Sequence, residues 1–284
     1  ETHKILKIFR AAFDYISKGT VMIAEANQMP QDVIEYLGDG DECQVVYNFP
    51  IMPRIFLSIA ENDTDYLKRQ LDITAELEKP AKTAWFTFLR CHDELTLEFV
   101  TDQERELMNK HYLKDEKWTF RDGEGISGRL YNLMEGNVDK ILLAYSILFS
   151  IQGTPVIYFG DEIAMENDKE FYEKMNKKFG YTDSRYLNRG PFDQTKKETA
   201  LSKPNSEPGL VYRGLREMIK LKNENPKLFK SDVEYNTEDN LLIAIRSTEE
   251  KSLIMINNLN DEEKNYNDYD LNPYEYIWIL EEIT

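Results

Sequence analysis

The chain has 284 residues, 41% hydrophobic and 12% aromatic, enough to bury the core of one large domain, or of a domain with a small accessory one. Its 35 basic and 52 acidic residues leave a net charge of −17, which repels phosphate backbones, so nucleic acid is not an expected partner. Its two cysteines, Cys43 and Cys91, are too few for a disulfide framework and lack zinc-site spacing; they read as reduced thiols in a cytoplasmic protein. The most apolar run, 141–151, is far short of the roughly 20 residues of a membrane span, so no membrane partner is expected. Residues 1–7 lead straight into an amphipathic pattern rather than a signal peptide.

In chain order, Ile5, Ile8, Phe9, Ala12, Phe13 and Ile16 recur at helical spacing and predict a helix over 4–17. Strands are expected at 21–24 and 44–47, then helices at 50–61 and 66–75, then an apolar and aromatic strand at 84–89. Helices follow at 102–112, 128–135 and 138–150, and a last buried strand at 155–159 is bounded by Gly153 and Gly160. Buried strands alternating with helices are the signature of a parallel α/β sheet. The polar stretch 166–206 shows no sustained period and reads as a long loop, of functional or disordered kind. A helix is expected over 209–223, opened by Ser206-Glu207-Pro208. Beyond Pro226, short strand runs at 241–246, 252–257 and 274–280 suggest a small antiparallel β domain over 228–284, after a first domain over 1–227.

Two carboxylates stand out by position. Glu25 directly follows the strand at 21–24, and Asp93 follows the strand at 84–89 after Arg90-Cys91-His92. The C-terminal ends of parallel strands form the mouth of the ligand crevice, so both acids can face one substrate. Glycoside hydrolysis uses such a pair, one acid protonating the leaving oxygen and the other forming or stabilising the glycosyl intermediate. Each residue has a plainer reading: Glu25 as a first-turn helix acid, Asp93 as the N-cap of a helix over 94–99. His92 alone reads as a hydrogen-bonded core residue, and His3 and His111 as surface residues. Cys91 and His92 point to opposite sides of an extended backbone, which argues against a thiol nucleophile.

The surrounding words narrow these choices. Ile23-Ala24-Glu25-Ala26-Asn27-Gln28, then Leu89-Arg90-Cys91-His92-Asp93-Glu94-Leu95-Thr96, then Gly153-Thr154-Pro155-Val156-Ile157-Tyr158-Phe159-Gly160-Asp161-Glu162 resemble, in that order, the late signature regions of the α-amylase superfamily, glycoside hydrolase family 13. The wording around Glu25, Glu42-Cys43 and 92–96 is similar to the trehalose synthase members of that family. Asp183-Ser184-Arg185 and Pro273-Tyr274-Glu275-Tyr276 lean toward its sucrose-using members. The resemblance implies the C-terminal half of a (β/α)8 TIM barrel, about strands 5–8, followed by a small antiparallel β domain. It implies a retaining α-glucosidase or transglucosidase, trehalose synthase-like, with a small α-glucoside as partner. Glu25 would be the general acid/base and Asp93 the acid that holds sugar hydroxyls and stabilises the oxocarbenium-like transition state. His92 would donate to sugar hydroxyls, and Arg189, in Arg189-Gly190-Pro191-Phe192, would help close the pocket. No cofactor is expected; family analogy allows calcium, with no ligands that can be placed on these residues.

Two departures shape the remaining expectations. Cys91 stands where the relatives usually have Asn. The family's nucleophilic Asp, on the fourth barrel strand two residues after an Arg, has no counterpart in the 24 residues before Glu25, and Asp14 lies mid-helix. The expectation is therefore a fragment lacking the nucleophile and inactive alone, with strand edges open at 21–24 and 155–156 that invite the missing half or self-association. The alternatives are a sucrose-using transglucosidase or phosphorylase, and a non-catalytic carbohydrate-binding protein.

Overall fold

The computed structural model describes residues 1–81 and 84–283. Strands β1 (Ile23–Ala24), β2 (Val45–Tyr47), β3 (Ala84–Phe88) and β4 (Thr154–Val156) form a parallel sheet in the order β1-β2-β3-β4. Ile23 pairs with Val45, Val45 with Ala84, and Phe86 with Thr154, so neighbouring strands end at one level. Their β-branched and aromatic residues suit strands covered on both faces, and Val46, Trp85 and Phe88 are buried. The outer strands are β1 and β4, the two edges that the expected half barrel leaves open.

Helix α1 (Thr2–Ile16) precedes β1, and α2 (Ile51–Glu61) and α3 (Asp65–Ala81) connect β2 to β3. Helices α4 (Asp102–Tyr112) and α5 (Val138–Ser150) connect β3 to β4. In α2, Ile51, Met52, Ile55, Phe56, Leu57 and Ile59 are all buried, packed against α3, α4 and α5. Helix α4 opens with a capping box: the Thr101 hydroxyl accepts from the Glu104 amide, and the Glu104 carboxylate accepts from the Thr101 amide.

Helix α1 forms as its periodicity predicts, but its apolar stripe faces outward. Ile8 is 66% and Ile16 77% exposed, and the buried member of the helix is Arg10. The Arg10 guanidinium donates to Asp14, to the Thr20 carbonyl and to the Gln44 side chain, whose oxygen also accepts from the Met22 amide. This polar clasp fixes the approach to β1 and so to Glu25.

Three expectations need correction. The helix read over 128–135 shrinks to Leu130–Leu133, because Glu135 and Gly136 take positive φ. The stretch 166–206 is not a loop: it carries α6 (Lys169–Phe179) and α7 (Gln194–Ser202), N-capped by the Asp168 and Asp193 side chains. Helix α6 ends at Gly180 with φ 72°, the left-handed stop that favours glycine. The last barrel strand is Thr154–Val156, and Gly153, at φ 123°, packs so closely on Trp85 that a Cβ would meet its carbonyl oxygen at 2.9 Å. Helix α8 (Glu207–Glu224) completes the helical part, capped by Ser206.

The C-terminal region is an antiparallel sheet of β5 (Val233–Glu238), β6 (Leu241–Ser247), β7 (Lys251–Asn258) and β8 (Tyr276–Glu282), in the order β8-β7-β6-β5. Strand β5 was not anticipated; it is an edge strand with polar residues on its open side. Leu241, Ile243 and Ile256 pack on one face, and Ala244, Leu253 and Met255 on the other.

A buried polar network pins this sheet to α5. The Ser146 hydroxyl donates to Asn257 Oδ1 at 2.5 Å and accepts from Trp278 Nε1 at 2.8 Å. Asn257 Nδ2 donates to the Ser150 hydroxyl and the Leu242 carbonyl. Removing the amide strands several buried partners, each lost partner costing about 1–3 kcal/mol. Asn257→Ala is therefore expected to lower unfolding free energy by about 2 kcal/mol or more in urea titrations; an unchanged midpoint would show that the sheet is held by apolar contact alone.

Candidate active site

Glu25 and Asp93 emerge at the C-terminal ends of β1 and β3, on either side of the end of β2. Neither plainer reading survives. The helix after Glu25 starts at Pro30 and its first-turn acid is Asp32, while residues after Asp93 enter a short strand, Leu95–Thr96, rather than a helix.

The two acids meet through His92. His92 Nε2 lies 3.3 Å from Asp93 Oδ2 and 3.8 Å from Glu25 Oε1. Ligand-capable atoms of Glu25, His92 and Asp93 all fall within 4.8 Å of one another, with Glu25 and His92 half-exposed and Asp93 less so. The cluster therefore opens to solvent on one side. Tyr47, at the end of the intervening strand β2, has its phenol pushed up by burial and by the nearby Glu25 charge.

Asp93 is held from the other side by two arginines. Its Oδ1 accepts from Arg185 Nη1 at 3.0 Å and from Arg189 Nη2 at 2.5 Å, leaving Oδ2 toward His92. Arg189 Nε also donates to the His92 carbonyl at 2.6 Å. Arg185 is itself steered by Asp183, which accepts from its Nε and Nη2 at 2.9 Å. Burial pushes the Asp183 carboxyl up, but its hydrogen bonds from the Arg185 side chain and amide, with the Arg185 and Arg189 charges, outweigh that and hold it below the usual range.

Beneath this layer the backbone of the 91–93 loop is clamped. The buried Arg90 donates from Nε to the Gly128 carbonyl and from Nη2 to the Asp93 carbonyl, both at 2.8 Å. The buried Asn188 amide reaches the carbonyls of Cys91, His92 and Asp93 at 3.2–3.4 Å. Deeper still, burial raises the Asp161 carboxyl to about 7 against the opposing charges of Arg129 and Arg90.

All four site residues expected from sequence, Glu25, His92, Asp93 and Arg189, fall in this one cluster. The sequence alone gives no role to Arg185, Asp183, Asn188 or Arg90. The wording of Asp183-Ser184-Arg185 leans toward the sucrose-using members, yet the contact of Arg185 with Asp93 spans 92 positions and no local pattern signals it. Burial pushes the Cys91 thiol up to about 11, so the thiolate that nucleophilic attack requires is disfavoured. Of the two outlying histidines, His3 is exposed as expected and pairs through Nδ1 with Glu42 at 2.7 Å, while His111 is half-buried and pairs through Nε2 with Glu61 at 2.5 Å. As a cation site, Glu25, His92 and Asp93 fit calcium poorly. That ion takes roughly six to eight oxygen ligands, whereas this set includes an imidazole and a carboxylate already bound by two guanidinium groups.

Among the described residues, no helix is long and apolar enough to cross a membrane. No protein-family model matches the chain. A trehalose synthase/amylase of Mycolicibacterium smegmatis is 44% identical over 169 residues, covering 58% of this chain and 28% of that protein. A glucosylglycerate phosphorylase of Escherichia coli (strain K12) is 27% identical over 267 residues, covering 86% of this chain and 44% of that protein. The chain thus spans less than half the length of either relative. The crystal structure of an α-amylase from H. orenii superposes with a TM-score of 0.69 and 14% identity, covering 99% of this chain and 57% of that one. In sequence over 58% of its length and in fold over nearly all of it, the chain resembles the C-terminal part of α-amylase-superfamily catalytic barrels, glycoside hydrolase family 13, with trehalose synthases among its relatives.

Proposed function

We propose that these residues form the acid/base and sugar-holding part of a retaining α-glucoside site, used in trehalose synthase-like transfer between maltose and trehalose. The single observation that carries this reading is the convergence of Glu25, His92 and Asp93 within 4.8 Å at the rim of one parallel sheet. Glu25, half-exposed, has room to protonate the glycosidic oxygen as the bond breaks and then to take a proton from the acceptor hydroxyl. Asp93 accepts hydrogen bonds from sugar hydroxyls through Oδ2, and its charge stabilises the cation-like ring of the transition state. His92 Nε2 donates to a hydroxyl on the same ring, and Arg185 and Arg189 hold Asp93 in place through Oδ1.

Retention requires a nucleophilic carboxylate across the anomeric carbon from Glu25. With Glu25 and Asp93 in the roles above, that group comes from outside the described residues, and these residues by themselves hold and protonate an α-glucoside without turning it over. Cytoplasmic residence and the division into a barrel part over 1–227 and a β domain over 228–284 belong to this same reading.

A second reading, phosphorolysis of an α-glucoside, is favoured by one observation: the glucosylglycerate phosphorylase match extends over 86% of the chain, past the stretch shared with trehalose synthases. Incubating the catalytically complete protein with maltose, with trehalose, and with sucrose or glucosylglycerate plus inorganic phosphate, then resolving the products, separates the two. Trehalose from maltose supports transfer; glucose 1-phosphate formation supports phosphorolysis; no product from any of them sinks both.

In that protein, Glu25→Gln is expected to lower kcat about 1,000-fold or more, within the range for loss of a general acid/base, and an active Glu25→Gln protein would remove the assigned role. Arg185→Ala frees the Asp93 carboxylate to shift, and a displacement of order 1 Å costs about 100-fold. We therefore expect a loss of that order in kcat/KM with a nearly unchanged melting temperature, and an equal loss of stability and activity would mean Arg185 only supports the fold.

A further inference from the structure

Behind the rim, the turn that follows β4 contributes to a group of three buried charges. Arg90, Arg129 and Asp161 are all almost wholly shielded from solvent. Arg90 spends two N–H groups on the Gly128 and Asp93 carbonyls. Arg129 Nη1 donates to the Phe159 carbonyl, and its guanidinium lies over the Tyr158 and Phe159 rings. All of these partners are neutral. Arg90 Nη1, Arg129 Nε and Nη2, and Asp161 Oδ1 are buried without a hydrogen-bond partner in the protein. The other Asp161 oxygen accepts from the Tyr145 hydroxyl at 3.1 Å. Both guanidinium charges act on the Asp161 carboxyl, which is the fully buried acid between them and the protein interior.

The groups around Asp161 on the elements packed against it are committed elsewhere. Glu162 turns its carboxylate to the Gly160 amide at 2.6 Å. Lys196 of α7 reaches the Ala164 carbonyl and Glu166, and Tyr212 of α8 packs against the Ile163 cluster. Gly160, at φ 92°, lets the turn lie close on Arg129, where a Cβ would meet Nη1 at 3.1 Å. Two like charges in a poorly polarisable interior repel strongly unless an opposite charge offsets them. Arg90 has an alternative counter-charge at the rim. Glu94 feels its charge, and Glu94 Oε2 is buried without a hydrogen bond.

We propose that Asp161 is a positioning residue for Asp93: its ionised side chain balances Arg90 and Arg129 and so keeps Arg90 on the Gly128 and Asp93 carbonyls. The role of Asp93 itself rests on the α-glucoside reading above. With Asp161 neutral, Arg90 turns toward Glu94, and the backbone that carries His92 and Asp93 is released.

The test measures kcat/KM for maltose against pH in the catalytically complete protein and two variants. Asp161→Asn keeps the size of the side chain but cannot ionise. Tyr145→Phe removes the hydroxyl that favours the ionised form. Burial raises the Asp161 carboxyl to about 7, so the parent is expected to lose activity as the pH falls through that value. A loss of about tenfold is expected, less than the roughly 100-fold that a displacement of order 1 Å costs. Asp161→Asn is expected to stay at the parent's acid-side level throughout, and Tyr145→Phe to move the acid limb to higher pH. A raised carboxyl also means that ionising it costs the folded state stability as the pH rises from the ordinary carboxylate range to about 7. Above that pH, Asp161→Asn is therefore expected to melt no lower than the parent. Hydrogen exchange of the 89–95 peptide, corrected for intrinsic rates, is expected to be faster in Asp161→Asn above the same pH, and it reads the clamp without substrate.

An acid limb near neutrality retained by Asp161→Asn, or full activity of that variant above it, would overturn the proposal. So would an unmoved limb in Tyr145→Phe, unchanged exchange, or a melting temperature that falls in step with activity. Failure of the catalytic reading is distinguishable: a parent without turnover whose 89–95 segment still loosens on Asp161→Asn loses the mechanism and keeps the clamp.

Discussion

The fixed point of the molecule is the Asp93 carboxylate, split between two environments. One oxygen is committed to Arg185 and Arg189, in charge-assisted hydrogen bonds that tie the end of β3 to the segment between α6 and α7. The other oxygen faces His92 and, beyond it, Glu25. A carboxylate at the mouth of a sheet would ordinarily sample several rotamers. Here its orientation is set by guanidinium groups that are themselves steered by Asp183. This is a preorganised charge of the kind that stabilises a developing cation without rearrangement. The clamp continues inward through Arg90 and Asn188, which hold the backbone carbonyls of the same loop.

The rest of the fold serves that geometry. The parallel register brings the C-terminal ends of β1 and β3 to one rim, so that Glu25 and Asp93 meet although 67 residues intervene. Helices α2 and α5 supply the apolar packing behind the strands, and the Ser146–Asn257–Trp278 network fastens the C-terminal sheet to α5. The same segment supplies Arg185, Arg189 and Asn188, so the anchoring of the Asp93 carboxylate and of the loop backbone beneath it are products of one stretch of chain.

Much of this was legible in the sequence, for identifiable reasons. Short β-branched and aromatic runs such as Val45–Tyr47 and Ala84–Phe88 read as strands, and position at or shortly after a strand end brings out Glu25 and Asp93. What stayed illegible was polar or non-local. Helix α7 carries no apolar stripe and is announced only by its Asp193 cap, whereas in α6 Phe171, Tyr172, Met175 and Phe179 do recur at helical spacing but stand among lysines and glutamates that make the whole stretch read as polar. Strand β5, Val-Glu-Tyr-Asn-Thr-Glu, does alternate, but as a half-buried edge strand it carries only Val233 and Tyr235 as large apolar residues and stands out little from the polar stretch around it. The contacts of Arg185 and Asn188 with the 91–93 loop join positions more than 90 residues apart. Helix α1 teaches the converse: its periodicity names the face that favours burial, but not what lies against it, and that face is open here.

The most direct measurement is a crystal structure of the catalytically complete protein, carrying Glu25→Gln, with an intact α-glucoside bound. The account predicts one glucosyl ring within hydrogen-bond distance of both His92 and Asp93, with the glycosidic oxygen facing the side chain at position 25. A sugar bound elsewhere, or a ring that touches Asp93 while residue 25 points away from the glycosidic bond, would contradict it.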